Sequence, residues 1–334
     1  MNTAITLAII VVILAVAFDY INGFHDTANA IATVVSTRVL SPRQAIIMAA
    51  GLNVLGAVTS TSVAIGIAKG IVWPEAVTLD VLIGGLVGAI VWNLLTWYFG
   101  IPSSSSHALV GGVAGAAIAS GGLAVINGGG FTKILLSFVL SPLSGVIVGL
   151  IILAILHRVV QRWSPAKVTK HFSKLQILSA AGMAFSHGSN DAQKSMGIIA
   201  SALFAAKLIP TLHVPSWVVL IAATAMGLGT ASGGWRIIKT MGHKMVKLNP
   251  LYGFVAETSA AIVIETATHL ALPVSTTHVI SSTIMSVGLS KGTKAVNWGV
   301  IKNIGWAMLL TIPASGIVGA VTFFIVRALV SWAA

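Results

Sequence analysis

Two stretches of this sequence place ionisable and amide side chains inside otherwise strongly apolar runs. The first, Tyr20-Ile-Asn-Gly-Phe-His-Asp-Thr-Ala-Asn-Ala30, follows the apolar run Ile5–Phe18 and carries Asn22, His25, Asp26 and Asn29. The second, Phe185-Ser-His-Gly-Ser-Asn-Asp-Ala-Gln-Lys194, carries His187, Asn190, Asp191 and Lys194. A carboxylate at the centre of a membrane helix costs roughly 2.5–3.5 kcal/mol on insertion scales, so residues kept there are expected to be used. Asp26 and Asp191 suit two tasks. They can hold a proton, a cation or a divalent metal, with Asn22, Asn29 and Asn190 as neutral oxygen ligands. Ionised, they can also accept a hydrogen bond from an oxyanion that carries its own O–H. Lys194 would counter a charge on either aspartate or on the anion, unless it snorkels to an interface. Glu257 and Glu265, eight residues or about two helical turns apart, add candidate cation or proton ligands. The rival role is a structural partner for His269. His25 and His187 could relay a proton or serve as hydrogen-bonded structural groups. Asp19, about one turn before Asn22, would extend the same polar path.

A second pair of motifs carries hydroxyls. Pro102-Ser-Ser-Ser-Ser-His107 and Pro273-Val-Ser-Thr-Thr-His278 each precede an apolar run. Proline opens helices at the first turn and Ser or Thr caps them. A helix start exposes free N–H groups at the positive end of the dipole, which suits phosphate or a similar oxyanion. Ser104, Ser105, Ser106, Ser275, Thr276 and Thr277 are the expected hydroxyl lining, with His107 and His278 orienting the loops. The alternative is that these hydroxyls bond their own helices or glue helices together.

These residues need a membrane scaffold. Of 334 residues, 56% are hydrophobic and 8% charged, and the apolar stretches are long enough to cross hydrocarbon. Spans are expected at about 3–24, 44–68, 78–99, 104–126, 131–157, 176–204, 214–236, 250–272, 274–290 and 300–330, several of them split. The N-terminal run reads as the first membrane helix and not as a cleaved signal. The net charge of +12 reflects loop cations that orient the protein and not nucleic-acid binding. With the N-terminus outside, fourteen Lys and Arg fall inside and four (Lys69, Lys133, Lys207, Arg327) outside. Both termini are therefore expected outside, with the basic linker 158–175 in the cytoplasm. The absence of cysteine excludes disulfides.

The sequence repeats itself. Pro102 and Pro273 are 171 residues apart (273 − 102), as are Pro142 and Pro313, each within a matched motif. Asp26 and Asp191 are separated by 165 (191 − 26). The expected fold is all-α and polytopic, with about 10–12 transmembrane segments. It would be built from two inverted-topology repeats, 1–157 and 176–334, with broken helices and helical hairpins. Gly23 and Gly188 would loosen the two polar helices, and the two breaks would face each other. Inverted repeats typify secondary transporters, whose sites lie at the repeat interface.

Together, the Asn22-Gly-Phe-His-Asp26 and His187-Gly-Ser-Asn-Asp191 motifs and the two Pro-Ser/Thr-His loops resemble the PiT family of inorganic phosphate transporters. The resemblance runs through both halves, and the Asn-Gly-Phe-His-Asp form is similar to the bacterial low-affinity branch. It implies symport of phosphate, alone or as a neutral metal–phosphate complex, driven by protons. Sodium-coupled members carry Gly-Ala-Asn-Asp at the first motif, where this chain has Gly23-Phe24-His25-Asp26. The resemblance also implies a homodimer in the bacterial inner membrane and no covalently bound cofactor. It supports Asp26, Asn29, Asp191 and the six hydroxyl residues as site residues. A sulfate permease of the same family and a passive anion channel are the alternative readings. An enzyme is not expected: the loops are short, and the adjacency of Ser106 and His107 does not give a nucleophile–base geometry.

Overall fold

The structure, a computed structural model, describes residues 3–333. The first half comprises α1 (Thr3–Ser36), α2 (Pro42–Ala57), α3 (Ser62–Gly70), α4 (Leu79–Phe99), α5 (Ser105–Gly121) and α6 (Gly128–Val160). The second comprises α7 (Pro165–Ala205), α8 (Ser216–Ser232), α9 (Trp235–Lys239), α10 (Pro250–His269), α11 (Thr276–Leu289) and α12 (Trp298–Ala333). Among the described residues, strand pairing is confined to two isolated bridges, Val72–Ile126 and Val246–Val296.

The two halves follow one plan. A long polar-centred helix (α1, α7) leads into a bent pair. The bend is 71° between α2 and α3, and 61° between α8 and the segment Trp235–Lys244. A full helix (α4, α10) then reaches a Pro-Ser/Thr loop, a short helix (α5, α11) starts from it, and a long proline-containing helix (α6, α12) closes the half. The bridges Val72–Ile126 and Val246–Val296 fall at matching places. Among the described residues, five helices are long and apolar enough to cross a membrane, and up to seven spans result if each bent pair counts as one. At 14 residues, or about 21 Å, α11 is shorter than the roughly 30 Å hydrocarbon core.

The expected breaks at Gly23 and Gly188 do not occur: α1 and α7 run unbroken through Asp26 and Asp191. The glycines serve close packing instead. A Cβ on Gly23 would come within 2.9 Å of the Thr230 nitrogen, and one on Gly188 within 2.6 Å of the Asn53 Cα. The connection between the halves is also shorter than 158–175. Ser164 caps α7 by accepting from the Lys167 N–H, and Pro165 occupies the first turn. Only residues 161–164 lie between α6 and α7.

One cavity of about 480 Å³ is lined by Ala4, Leu7, Asp80, Ala205 and Arg327. It sets the beginning of α1 and the end of α12 on one face, here the terminal face. The opposite, linker face gathers Thr37 against Gln176 at 2.9 Å and Thr240 against the Gly100 carbonyl at 3.1 Å. The outer sides of α6 and α12 expose Leu140, Leu143, Ile147, Ile317, Val321 and Phe324, the apolar surface a bilayer solvates.

Candidate substrate and ion site

Both Pro-Ser/Thr loops end in helix starts of one design. Ser104 caps α5 by accepting from the His107 N–H at 3.2 Å, and Ser275 caps α11 by accepting from the His278 N–H at 3.2 Å. Ser104 also lies 2.8 Å from His107 Nδ1. Two of the six expected lining hydroxyls are thus engaged in capping. The other four, Ser105, Ser106, Thr276 and Thr277, face the polar centres of α1 and α7. The two starts meet head to head: the His107 and His278 rings lie 4.4 Å apart, and Ser106 donates to the Val274 carbonyl at 2.9 Å.

The contacts come in repeat-related pairs. Within each half, the first helical hydroxyl donates to the aspartate: Ser105 to Asp26 Oδ2 at 2.7 Å and Thr276 to Asp191 Oδ2 at 3.3 Å. Between halves, the residue three positions after each aspartate reaches the other half's second hydroxyl. Asn29 donates to Thr277 at 2.9 Å, and Lys194 to Ser106 at 2.5 Å. The aspartates therefore converge: one ligand atom each from Asp26, His187 and Asp191 lie within 4.8 Å of one another. None of Asn22, His25, Asp26, Asn29, Asp191, Lys194 and the six hydroxyl residues exceeds 2% exposure, so this core is sealed from both faces.

Around the core, Asn22 Oδ1 accepts from Ser105 at 2.6 Å. His25 Nδ1 lies 2.6 Å from Asp26 Oδ1, and its Nε2 lies 3.0 Å from the Thr96 hydroxyl. His187 Nδ1 lies 3.1 Å from Asn53 Oδ1. The Lys194 ammonium lies in the core and does not snorkel. It donates to Asp191 Oδ1 at 2.6 Å, Ser106 at 2.5 Å and the Val274 carbonyl at 3.2 Å, which uses all three of its N–H bonds. The ammonium occupies Asp191 Oδ1, whereas Oδ2 lies 3.7 Å from His187 Nε2.

Not every expected residue joins the core. Asn190 donates to Thr268 at 2.9 Å and contacts the 272–274 loop, a bracing role. Glu265 accepts from Ser189 at 2.9 Å, lies 4.0 Å from His269 and is 29% exposed. Glu257 forms a separate buried cluster toward the linker face, accepting from Thr33, from Ser179 at 2.5 Å and from Gln176 at 3.2 Å. No basic side chain pairs with it among the described contacts. Thr96, Ser103, Thr33, Gln176 and Ser179 are site-supporting residues that the sequence did not reveal.

With this geometry in place, the comparisons with known proteins are specific. Residues 22–319 match the phosphate transporter family, a span that contains every core residue. The chain belongs to the phosphate transporter family. It is 50% identical over 332 residues to a Bacillus subtilis (strain 168) protein named "Probable low-affinity inorganic phosphate transporter", covering 98% of this chain and 99% of that one. A Rhizobium meliloti (strain 1021) protein of the same name is 44% identical over 328 residues, covering 97% and 98%. A solved structure described as "The sodium-dependent phosphate transporter" superposes with a TM-score of 0.90 at 26% identity, covering 97% of this chain and 99% of that one. Membership of a family of transporters also sets aside an enzymatic reading of Ser106 and His107. As a phosphate transporter family member, the chain has a polar core matching the repeat symmetry of its scaffold.

Proposed function

We propose that the protein is a secondary active symporter of inorganic phosphate, driven by protons or another cation. Phosphate would sit between the starts of α5 and α11, on the pseudo-twofold axis that relates Asp26 to Asp191. The observation that carries this reading is the head-to-head meeting of two capped, hydroxyl-bearing helix starts on a buried Asp–Lys–Asp cluster. Free N–H groups and the hydroxyls of Ser105, Ser106, Thr276 and Thr277 would hold the oxygens. Asp26 or Asp191 would accept the phosphate O–H, which sulfate lacks.

Electrostatics supplies the reason for coupling. With neutral histidines, Asp26, Asp191 and Lys194 carry a net charge of −1, and a phosphate dianion would bring the sealed core to −3. Ions this poorly compensated are costly in low dielectric, so cations must enter with the substrate. His25, the core carboxylates and the Glu257 cluster are the candidate proton or cation positions. Transport of a neutral metal–phosphate complex would answer the same demand from the substrate side. The sodium dependence ascribed to the solved relative makes sodium the specific rival to protons. We further propose that the halves are inverted in the membrane, with both termini outside and the linker face cytoplasmic. The halves would rock about the core in a homodimer of the bacterial inner membrane.

The test is uptake of radiolabelled phosphate into proteoliposomes under an imposed proton gradient, an imposed sodium gradient, or neither, each with and without excess sulfate. Concentrative uptake that sulfate does not suppress is expected. Saturable sulfate uptake without phosphate uptake would establish the permease alternative, and fast gradient-independent flux the channel.

A further inference from the structure

We propose that Asp19 is a proton-carrying residue of the transport cycle, lying outside the phosphate core. This rests on the proton-coupled reading above. Asp19 is fully buried at the middle of α1. It precedes Asp26 by seven residues, which places it about 10 Å nearer the terminal face. Its one side-chain partner is Ser195 on α7, 2.5 Å from Oδ2, while Oδ1 has no partner.

The hydrogen count favours the acid form. Ser195 has a single hydroxyl proton, and its oxygen also lies 3.0 Å from the Ala192 carbonyl one turn back. When that proton goes to Ala192, the Asp19–Ser195 contact closes only if Asp19 carries a proton and donates it. An ionised Asp19 would instead bury a full charge with at most one shared donor and a bare second oxygen, a costly arrangement. Lys194 donates it no hydrogen bond in this conformation, because its three N–H bonds are spent on Asp191, Ser106 and Val274.

The repeat argues that the carboxyl is not there for the scaffold. At the 165-residue shift, the counterpart of Asp19 is Ala184, which is equally buried. The counterpart of Lys194 is Asn29. The two halves thus break symmetry with an acid on α1 and a base on α7, and Ser195 places the acid beside the base. The charged neighbours that act on Asp19 are Asp191 and Lys194 of α7. No titratable side chain lies on α8. Those of α4 are Asp80 in its first turn and Tyr98 in its last, and that of α2 is Arg43 in its first turn. Elements carrying Arg236, Lys239, His243 and Lys244 pack against α1 from Phe24 to Ser36, as Gly234 and Gly242 show. Glu257 on α10 meets α1 at Thr33, and α11, which carries His278, meets it at Asn29. In the cycle, Asp19 takes a proton from water at the terminal face. Phosphate then takes Asp191's place on Lys194, an N–H that Lys194 withdraws from Ser106 turns toward Asp19, and the carboxyl gives its proton to water on the linker face as the core opens there.

The test compares wild-type protein with Asp19→Asn and Asp19→Glu in proteoliposomes, by two assays. Phosphate–phosphate exchange needs no net proton movement. Accumulation under a one-unit pH gradient does, and it sustains about a tenfold phosphate gradient per coupled proton. We expect Asp19→Asn to keep exchange, to lose the roughly tenfold accumulation and to flatten its dependence on external pH, and Asp19→Glu to restore both. Wild-type accumulation and pH profile in Asp19→Asn would overturn the inference. So would parallel loss of exchange and accumulation that Asp19→Glu fails to rescue. Accumulation by the wild type under sodium but not proton gradients would overturn it while leaving phosphate symport standing. Absence of any phosphate uptake by the wild type would instead remove the reading beneath it.

Discussion

Replacing Lys194 with Met tests the electrostatic core directly. The substitution removes donors at 2.6 Å to Asp191, 2.5 Å to Ser106 and 3.2 Å to the Val274 carbonyl. Asp191 keeps only the Thr276 hydroxyl at 3.3 Å and the His187 ring at 3.7 Å. Removing one member of a buried ion pair costs about 3–5 kcal/mol, because the other is left charged and unpaired, whereas replacing both members is often close to neutral. Lys194→Met alone should therefore lose about 3–5 kcal/mol, and Asp191→Asn added to it should recover most of that. For a chain of 334 residues, an unfolding entropy of about 2.1 cal/mol/K per residue converts the single loss to a fall in Tm of about 4–7 °C. The assay is a thermal melt in detergent, followed by tryptophan fluorescence, on wild type, both single variants and the double. A Lys194→Met Tm within about 1 °C of wild type, with strictly additive effects in the double variant, would refute the pairing. Lys194 would then be an interfacial, snorkelling residue.

Two further outcomes are expected. Gly188→Ala forces a Cβ into the Asn53 backbone and should cost about 1–3 kcal/mol, whereas Gly182→Ala, with nothing within 4 Å on the same helix, should stabilise by up to about 1 kcal/mol; thermal melts of the two variants side by side check this. Asp26→Asn should abolish concentrative phosphate uptake while the protein still folds, and should turn sulfate from a poor into an effective competitor for residual binding. Near-normal uptake would remove Asp26 from coupling, and unchanged competition would remove it from discrimination.

The core was legible because it is written twice. Asp26 and Asp191 stood out as charges in apolar runs, and the matched Pro-Ser/Thr-His motifs located both helix starts. The breaks were misread for a physical reason. A stretch such as Asn22-Gly-Phe-His-Asp26 resembles a loop by composition, but Gly23 lets α8 approach closely, as Gly188 lets α2 approach α7, and its polar side chains bond across helices while the backbone stays helical. The separation of capping from lining hydroxyls was also hidden, since Ser104 and Ser105 differ only in whether they precede or begin the helix. Thr96 escaped notice because a lone Thr in an apolar helix ordinarily bonds back to its own turn, as Thr96 does to the Trp92 carbonyl at 2.9 Å. Its role became visible only when His25 was found 3.0 Å away. The start of α7 was written plainly in Ser164-Pro165, a cap followed by proline, but the basic residues after it suggested a linker.

The symmetry of the contacts explains why the departures from it matter. A pseudo-twofold core offers one seat on the axis and two equivalent sets of donors, which suits an anion whose oxygens are interchangeable. A purely symmetric core would carry Asn at both positions three residues after the aspartates, and hence two negative charges with no internal cation. Lys194 breaks that balance and holds Asp191 while the core is sealed. If phosphate binds there as proposed, Lys194 would have to give up one of its three bonds first, which would tie substrate binding to the release of Asp191. Asp19 of α1, held by Ser195 one residue after Lys194 on α7, is an acid outside the core that such a release would affect under that proposal. Under the proposed cycle, the side chain that admits the anion would thereby also change the protonation of the carboxyl.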